Sequence, residues 1–91
     1  MEYEWDQNKA IANLQKHRVS FSEAATVFGD PLSITFPDPD HSIYESRFIT
    51  IGLSTGDKII VLSHTDRGDN IRIISARKAT RKEQRFYEEG Y

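Results

Sequence analysis

The chain has 91 residues, of which 37% are hydrophobic and 29% charged, with no cysteine and a formal net charge of −2. A chain of this length holds one small domain, 1–91, with a modest core, and leaves no room for a second. The missing cysteines exclude a disulfide scaffold and thiolate chemistry, and the longest apolar run, Ile59 to Leu62, is far short of the roughly 20 residues that span a bilayer. The acidic N-terminus lacks an apolar signal segment, so a cytoplasmic location is expected.

Asp6 precedes a stretch in which Ile11 and Leu14 recur at helical spacing, which predicts an N-cap and a first helix over 7–17, closed by His17 and Arg18. Ser20 and Glu23 have capping-box spacing, and Phe21, Ala24, Ala25 and Phe28 fall on one helical face, predicting a second helix over 21–28. Gly29, Asp30 and Pro31 end it. Leu32 to Phe36 reads as a short strand and Pro37 to His41 as a turn-rich break.

Arg47 to Leu53 and Lys58 to Thr65 read as strands joined by the four-residue hairpin Ser54 to Asp57, and Asp66 to Asp69 leads into a further strand, Asn70 to Ala76. Such short links make antiparallel neighbours. Ile59 and Val61 face one side and Ile60 and Leu62 the other, so both faces of the sheet need cover. The first two helices can supply one cover. The other must come from the last helix or from another protein. Thr80 and Glu83 repeat the capping-box spacing and predict a third helix over 80–89.

Charge is unevenly placed along the chain. Between His64 and Arg85 lie seven basic residues against three acidic ones, leaving five basic against eleven acidic elsewhere. Such asymmetry points to nucleic-acid contact. In the third helix, Arg81 and Lys82 sit at the positive end and Glu88 and Glu89 at the negative end, the reverse of what the helix dipole favours. An anion held at the helix start would make sense of this, as would a solvated charged face.

His17, His41 and His64 lack metal-ligand spacing and no Gly-rich phosphate loop occurs, so no metal or cofactor is expected. What remains is Arg, His, Glu and Lys around a small sheet, a toolkit for metal-independent RNA cleavage. There a base takes the 2′-hydroxyl proton, cations stabilise the pentavalent phosphate, and an acid protonates the departing 5′-oxygen. His64, at a strand end, is a candidate acid or base or a structural hydrogen-bonder. Glu45 and Arg47, two apart, share a face as catalytic candidates or as an ion pair. Arg72 is expected on the face of Ile74 and Ala76, paired with a carboxylate such as Glu45 or awaiting a phosphate. Lys16 and His17 suit a helix C-terminus whatever else they do. Trp5, Phe86, Tyr87 and Tyr91 read as packing residues, with Tyr87 also able to stack a base.

Four blocks in order resemble the BrnT family: WDQNKAIANLQKH from Trp5, VSFSEAATVFGDP from Val19, RFITIGLS from Arg47 and HTDRGDNIRIISARKATRKEQRFYEE from His64. The resemblance implies a ribonuclease toxin of a type II toxin–antitoxin pair with an α+β, RelE-like fold. In that fold about four antiparallel strands are flanked by two N-terminal helices and one C-terminal helix. It also implies a BrnA-like antitoxin that blocks the toxin and reaches operator DNA through its own ribbon-helix-helix part. The block expected as Lys-His-Gly reads Lys16, His17, Arg18, so Arg18 would be strained if a left-handed residue is needed there. On this reading His64, Glu45, Arg72 and Arg77 are the catalytic candidates, and Lys16, Arg47, Arg67, Arg81 and Tyr87 the RNA-binding ones. A different reading is a non-catalytic module whose basic end binds nucleic acid or a partner inside a repressor complex.

Overall fold

Three side-chain caps set the helices. In the structure, a computed structural model that describes residues 2–41 and 45–90, the Lys9 N–H donates to the Asp6 carboxylate (3.0 Å) and starts α1, Gln7–His17. The Glu23 N–H donates to the Ser20 hydroxyl (3.0 Å) and starts α2, Phe21–Ala25, which tightens into a 3-10 turn over Thr26–Gly29. Thr80 caps α3, Arg81–Glu89, by a full capping box with Glu83. Arg18 ends α1 in the left-handed region (φ 60°), where its N–H closes on the Leu14 carbonyl.

The strands are β1, Tyr3–Glu4; β2, Ile34–Pro37; β3, Arg47–Leu53; β4, Ile59–Arg67; and β5, Asn70–Lys78. They form a five-stranded sheet in the order β1-β5-β4-β3-β2, with β1 parallel to β5 and every other pair antiparallel. The expectation of about four antiparallel strands is thus corrected to a mixed sheet of five. The extra strand has only two residues and no alternating pattern. It exists because backbone groups pair with β5 at Ile71 and Arg72, which is invisible to periodicity.

Ile60, Leu62, Ile73 and Ala76 point to one face of the sheet, where Phe21, Val27 and their neighbours from the N-terminal helices bury them. On the other face Ile51 and Val61 meet Ala79, with Phe36, Ile59 and Tyr87 packed around them under α3. The third helix therefore covers only part of the second face. α1 does not bury the side its apolar residues suggest: Ile11 and Leu14 are 50% and 48% exposed, whereas Asn13 is buried. Its Nδ2 donates to the Ala76 carbonyl (2.8 Å) and its Oδ1 accepts from the Ala76 N–H (3.1 Å). The amide so continues the ladder along β5 past the point where β1 ends.

A bulge interrupts the β4–β5 pairing: Ser63 faces Ser75, but His64 faces Ile73, leaving Ile74 extra. One inserted residue exchanges the two faces, so Arg72 does not share a face with Ala76 as the uninterrupted alternation predicted. It is in register with Thr65, which in turn faces Arg47.

Candidate active site

The part of the second face that α3 leaves open forms a cleft of about 400 Å³. Its floor is Ile49, Val61, Ser63, Ile74 and Ser75, of which the bulge supplies the last two side by side. From the β3 side come Arg47 and the pair Asp38–His41, the latter on a 3-10 turn, Pro39–His41. From the β5 side come Arg77 and, at the end of α1, His17. Asn13 fixes α1 to Ala76, and His17 lies one helical turn further on, which brings it to the cleft.

Each charged group has a defined setting. Arg47 Nε lies 3.4 Å from Glu45 Oε1, both partly exposed. The Arg77 guanidinium donates through Nη1 and Nη2 to the two oxygens of Glu83 (2.7 and 2.9 Å). That fork holds the Glu83 carboxyl down at about 2 and raises Arg77 further. It leaves Arg77 N–H groups at Nε and Nη2 to offer a ligand. His41 Nδ1 lies 3.0 Å from Asp38 Oδ2, and the Asp38 N–H donates to the Arg47 carbonyl (2.8 Å), so the pair is tied to β3.

Among the candidates from sequence, the structure brings Arg47 and Arg77 together at the cleft, with Glu45 on Arg47 rather than on Arg72. Arg72 is half-buried on the same face, two strands from Arg47. Lys16, Arg67 and Arg81 are exposed, and with Arg72 they make no ion pair among the described residues.

Two candidates lie elsewhere. His64 is on the helix-covered face, 4% exposed, in ring contact with Phe28 and Phe48, with Nε2 on the Thr50 hydroxyl (2.7 Å). Burial pushes its pKa down, partly countered by Asp66, and Nδ1 has no partner among the described residues. Tyr87 donates its hydroxyl to Asp30 Oδ2 (2.5 Å), which pushes the phenol up to about 12 and ties α3 to the end of the 3-10 turn. At the start of α3 the Glu83 carboxylate accepts the Thr80 N–H (2.8 Å), so a negative side chain already sits beside the place where an anion was expected. Tyr91, expected as a packing residue, lies outside the described residues.

Asn13, Asp38 and His41 are not among the site residues expected from the sequence. An Asp-x-x-His spacing in a Pro-bounded turn was the available signal for the last two. Among the described residues no group of three or more His, Asp or Glu is placed to hold a metal ion, and no helix is long and apolar enough to cross a membrane.

A family model described as "Ribonuclease toxin, BrnT, of type II toxin-antitoxin system" matches residues 5–83. Among solved structures, the crystal structure of the Brucella abortus ribonuclease toxin BrnT is similar at 25% identity and a TM-score of 0.70, over 89% of this chain and 99% of that one. No curated protein matches the sequence.

Proposed function

Because the chain belongs to the BrnT family of ribonuclease toxins of type II toxin–antitoxin systems, we propose that its cleft binds RNA and cleaves it without a metal, by attack of a ribose 2′-hydroxyl on the adjacent phosphate. The observation that carries this reading is the arrival of Arg47 and Arg77 at one cleft from opposite sides of β4. Two guanidinium groups lining one cleft of about 400 Å³ suit a phosphodiester whose negative charge grows in the transition state. Arg72 extends the cationic side toward Arg47, and Lys16, Arg67 and Arg81 supply exposed charge for flanking phosphates. Glu45 acts on Arg47, holding its guanidinium, and His64 serves the sheet packing and not the chemistry.

In the same reading residues 1–91 are a single toxin domain with a RelE-like arrangement. The family implies an antitoxin partner. We take it to be BrnA-like, to block the cleft, and to make whatever contact the complex has with operator DNA.

The test is purified protein with mixed-sequence RNA, free and as ribosome-bound mRNA, in excess chelator. Fragments with 5′-hydroxyl and 2′,3′-cyclic phosphate ends are expected, DNA of the same sequence being spared because it lacks the nucleophile. Arg77→Ala and Arg47→Ala should each slow cleavage by about 10²-fold while antitoxin binding persists. No cleavage of either RNA, together with salt-sensitive binding, would establish the non-catalytic module instead.

A further inference from the structure

Metal-free cleavage by a 2′-hydroxyl needs a group that accepts one proton and another that supplies one, and the cleft holds two imidazoles with different surroundings. His41 Nδ1 lies 3.0 Å from Asp38 Oδ2. An ionised carboxylate only accepts, so in the neutral imidazole this contact puts the hydrogen on Nδ1 and the lone pair on Nε2. The His41 side chain is 66% exposed and that of Asp38 14%, so the carboxylate is sheltered while the imidazole is open to solvent. The Asp38 N–H on the Arg47 carbonyl sets this dyad beside a phosphate-binding arginine. His17 has no carboxylate partner among the described residues, and from the end of α1 it lines the same cleft as Arg77.

We propose that His41, oriented by Asp38, is the general base of this cleft and that His17 is its general acid; this rests on the ribonuclease reading above. His41 Nε2 removes the proton from the 2′-hydroxyl, and the 2′-oxygen bonds to phosphorus while Arg47 and Arg77 bear the charge. The phosphorus–O5′ bond breaks and His17 delivers its proton to the departing 5′-oxygen. A 2′,3′-cyclic phosphate and a 5′-hydroxyl result, with one proton accepted and one donated. Asp38 is a positioning residue that fixes the tautomer and stabilises the imidazolium once formed.

The experiment uses RNA carrying sulfur in place of the bridging 5′-oxygen at the bond wild-type protein cleaves. A thiolate leaves without protonation, so an acid becomes dispensable and a base does not. On ordinary RNA, His41→Ala and His17→Asn should each slow single-turnover cleavage by about 10²-fold or more. On the sulfur substrate His17→Asn should recover to within about tenfold of wild type while His41→Ala stays slow. Asp38→Asn should slow ordinary cleavage, and the double variant with His41→Ala should be no slower than His41→Ala alone, a non-additivity that loss of folding would not give. Near-wild-type rates in both histidine variants, or sulfur rescue of the wrong one or of neither, would overturn the assignment and leave the ribonuclease reading standing. A wild-type protein that cleaves no RNA would remove both.

Discussion

Asn13 shows how much one polar side chain decides here. It sits where the pattern of α1 turns inward, and its amide meets both backbone groups of Ala76 and the Val19 carbonyl (3.0 Å). Asn13→Ala strands three backbone groups in a buried place and should cost about 2–3 kcal/mol. Leu14→Ala, at a half-exposed site, should cost less than about 1 kcal/mol, the reverse of what hydrophobicity alone suggests. Urea unfolding of the two variants decides between these rankings.

At the same scale, His64 is buried neutral with a lowered pKa, so protons bind it more readily in the unfolded chain. Its contribution to stability is complete above the ordinary histidine value of about 6.5 and declines as pH falls below that, by at most about 1.4 kcal/mol per pH unit. His64→Gln, which keeps a hydrogen-bonding group for the Thr50 hydroxyl, should flatten the stability profile between about pH 7.5 and 5.5, as read by denaturation midpoints at each pH. The lowered carboxyls of Glu23, Asp30 and Glu83 lose their contributions only in more acid solution.

Among the elements, α1 and α3 end and begin in contrasting ways. Arg18 holds a left-handed conformation (φ 60°) that glycine adopts without a Cβ clash. Arg18→Gly should therefore stabilise the protein by about 0.5–1 kcal/mol, which at this chain length raises Tm by a few degrees. An unchanged or lower Tm would show that the Arg18 side chain compensates for its backbone. α3, whose end charges run against its dipole, is secured otherwise: the capping box at Thr80, the Arg77–Glu83 fork, and Tyr87 on Asp30. Asp30 shows the strength of that last tie. Burial would raise its carboxyl, yet the Leu53 N–H, the Tyr87 hydroxyl and the Leu32 N–H together hold it below the usual range. The resulting clasp joins the 3-10 turn after α2, the end of β3 and α3.

Over the whole molecule, a net charge of −2 coexists with a basic stretch from His64 to Arg85, which supplies Arg77 to the cleft, while Arg47 comes from the acidic remainder of the chain. Binding confined to the cleft arginines Arg47 and Arg77, with Arg72 on the same face beyond the cleft, engages two or three phosphates. The logarithm of RNA affinity should then fall against the logarithm of salt concentration with a slope of about −1.4 to −2.1. A markedly steeper slope, measured by fluorescence anisotropy with cleavage-deficient His41→Ala, would mean that Lys16, Arg67 and Arg81 also engage RNA. The same measurement with antitoxin present reports whether the partner closes the cleft.

The residue order by itself determined the three helices, four of the five strands and the basic end, because caps, turns and alternation are local and leave local marks. It also carried the strain at Arg18 and, through its four blocks, the family. Which side chains meet was decided elsewhere. The bulge at Ile74 set the phase of Arg72, the ladder of Asn13 set the position of His17, and the burial of His64 removed it from the open face. Each of these depends on pairing between segments far apart in the chain, where a single inserted residue or one buried amide changes which face a side chain occupies.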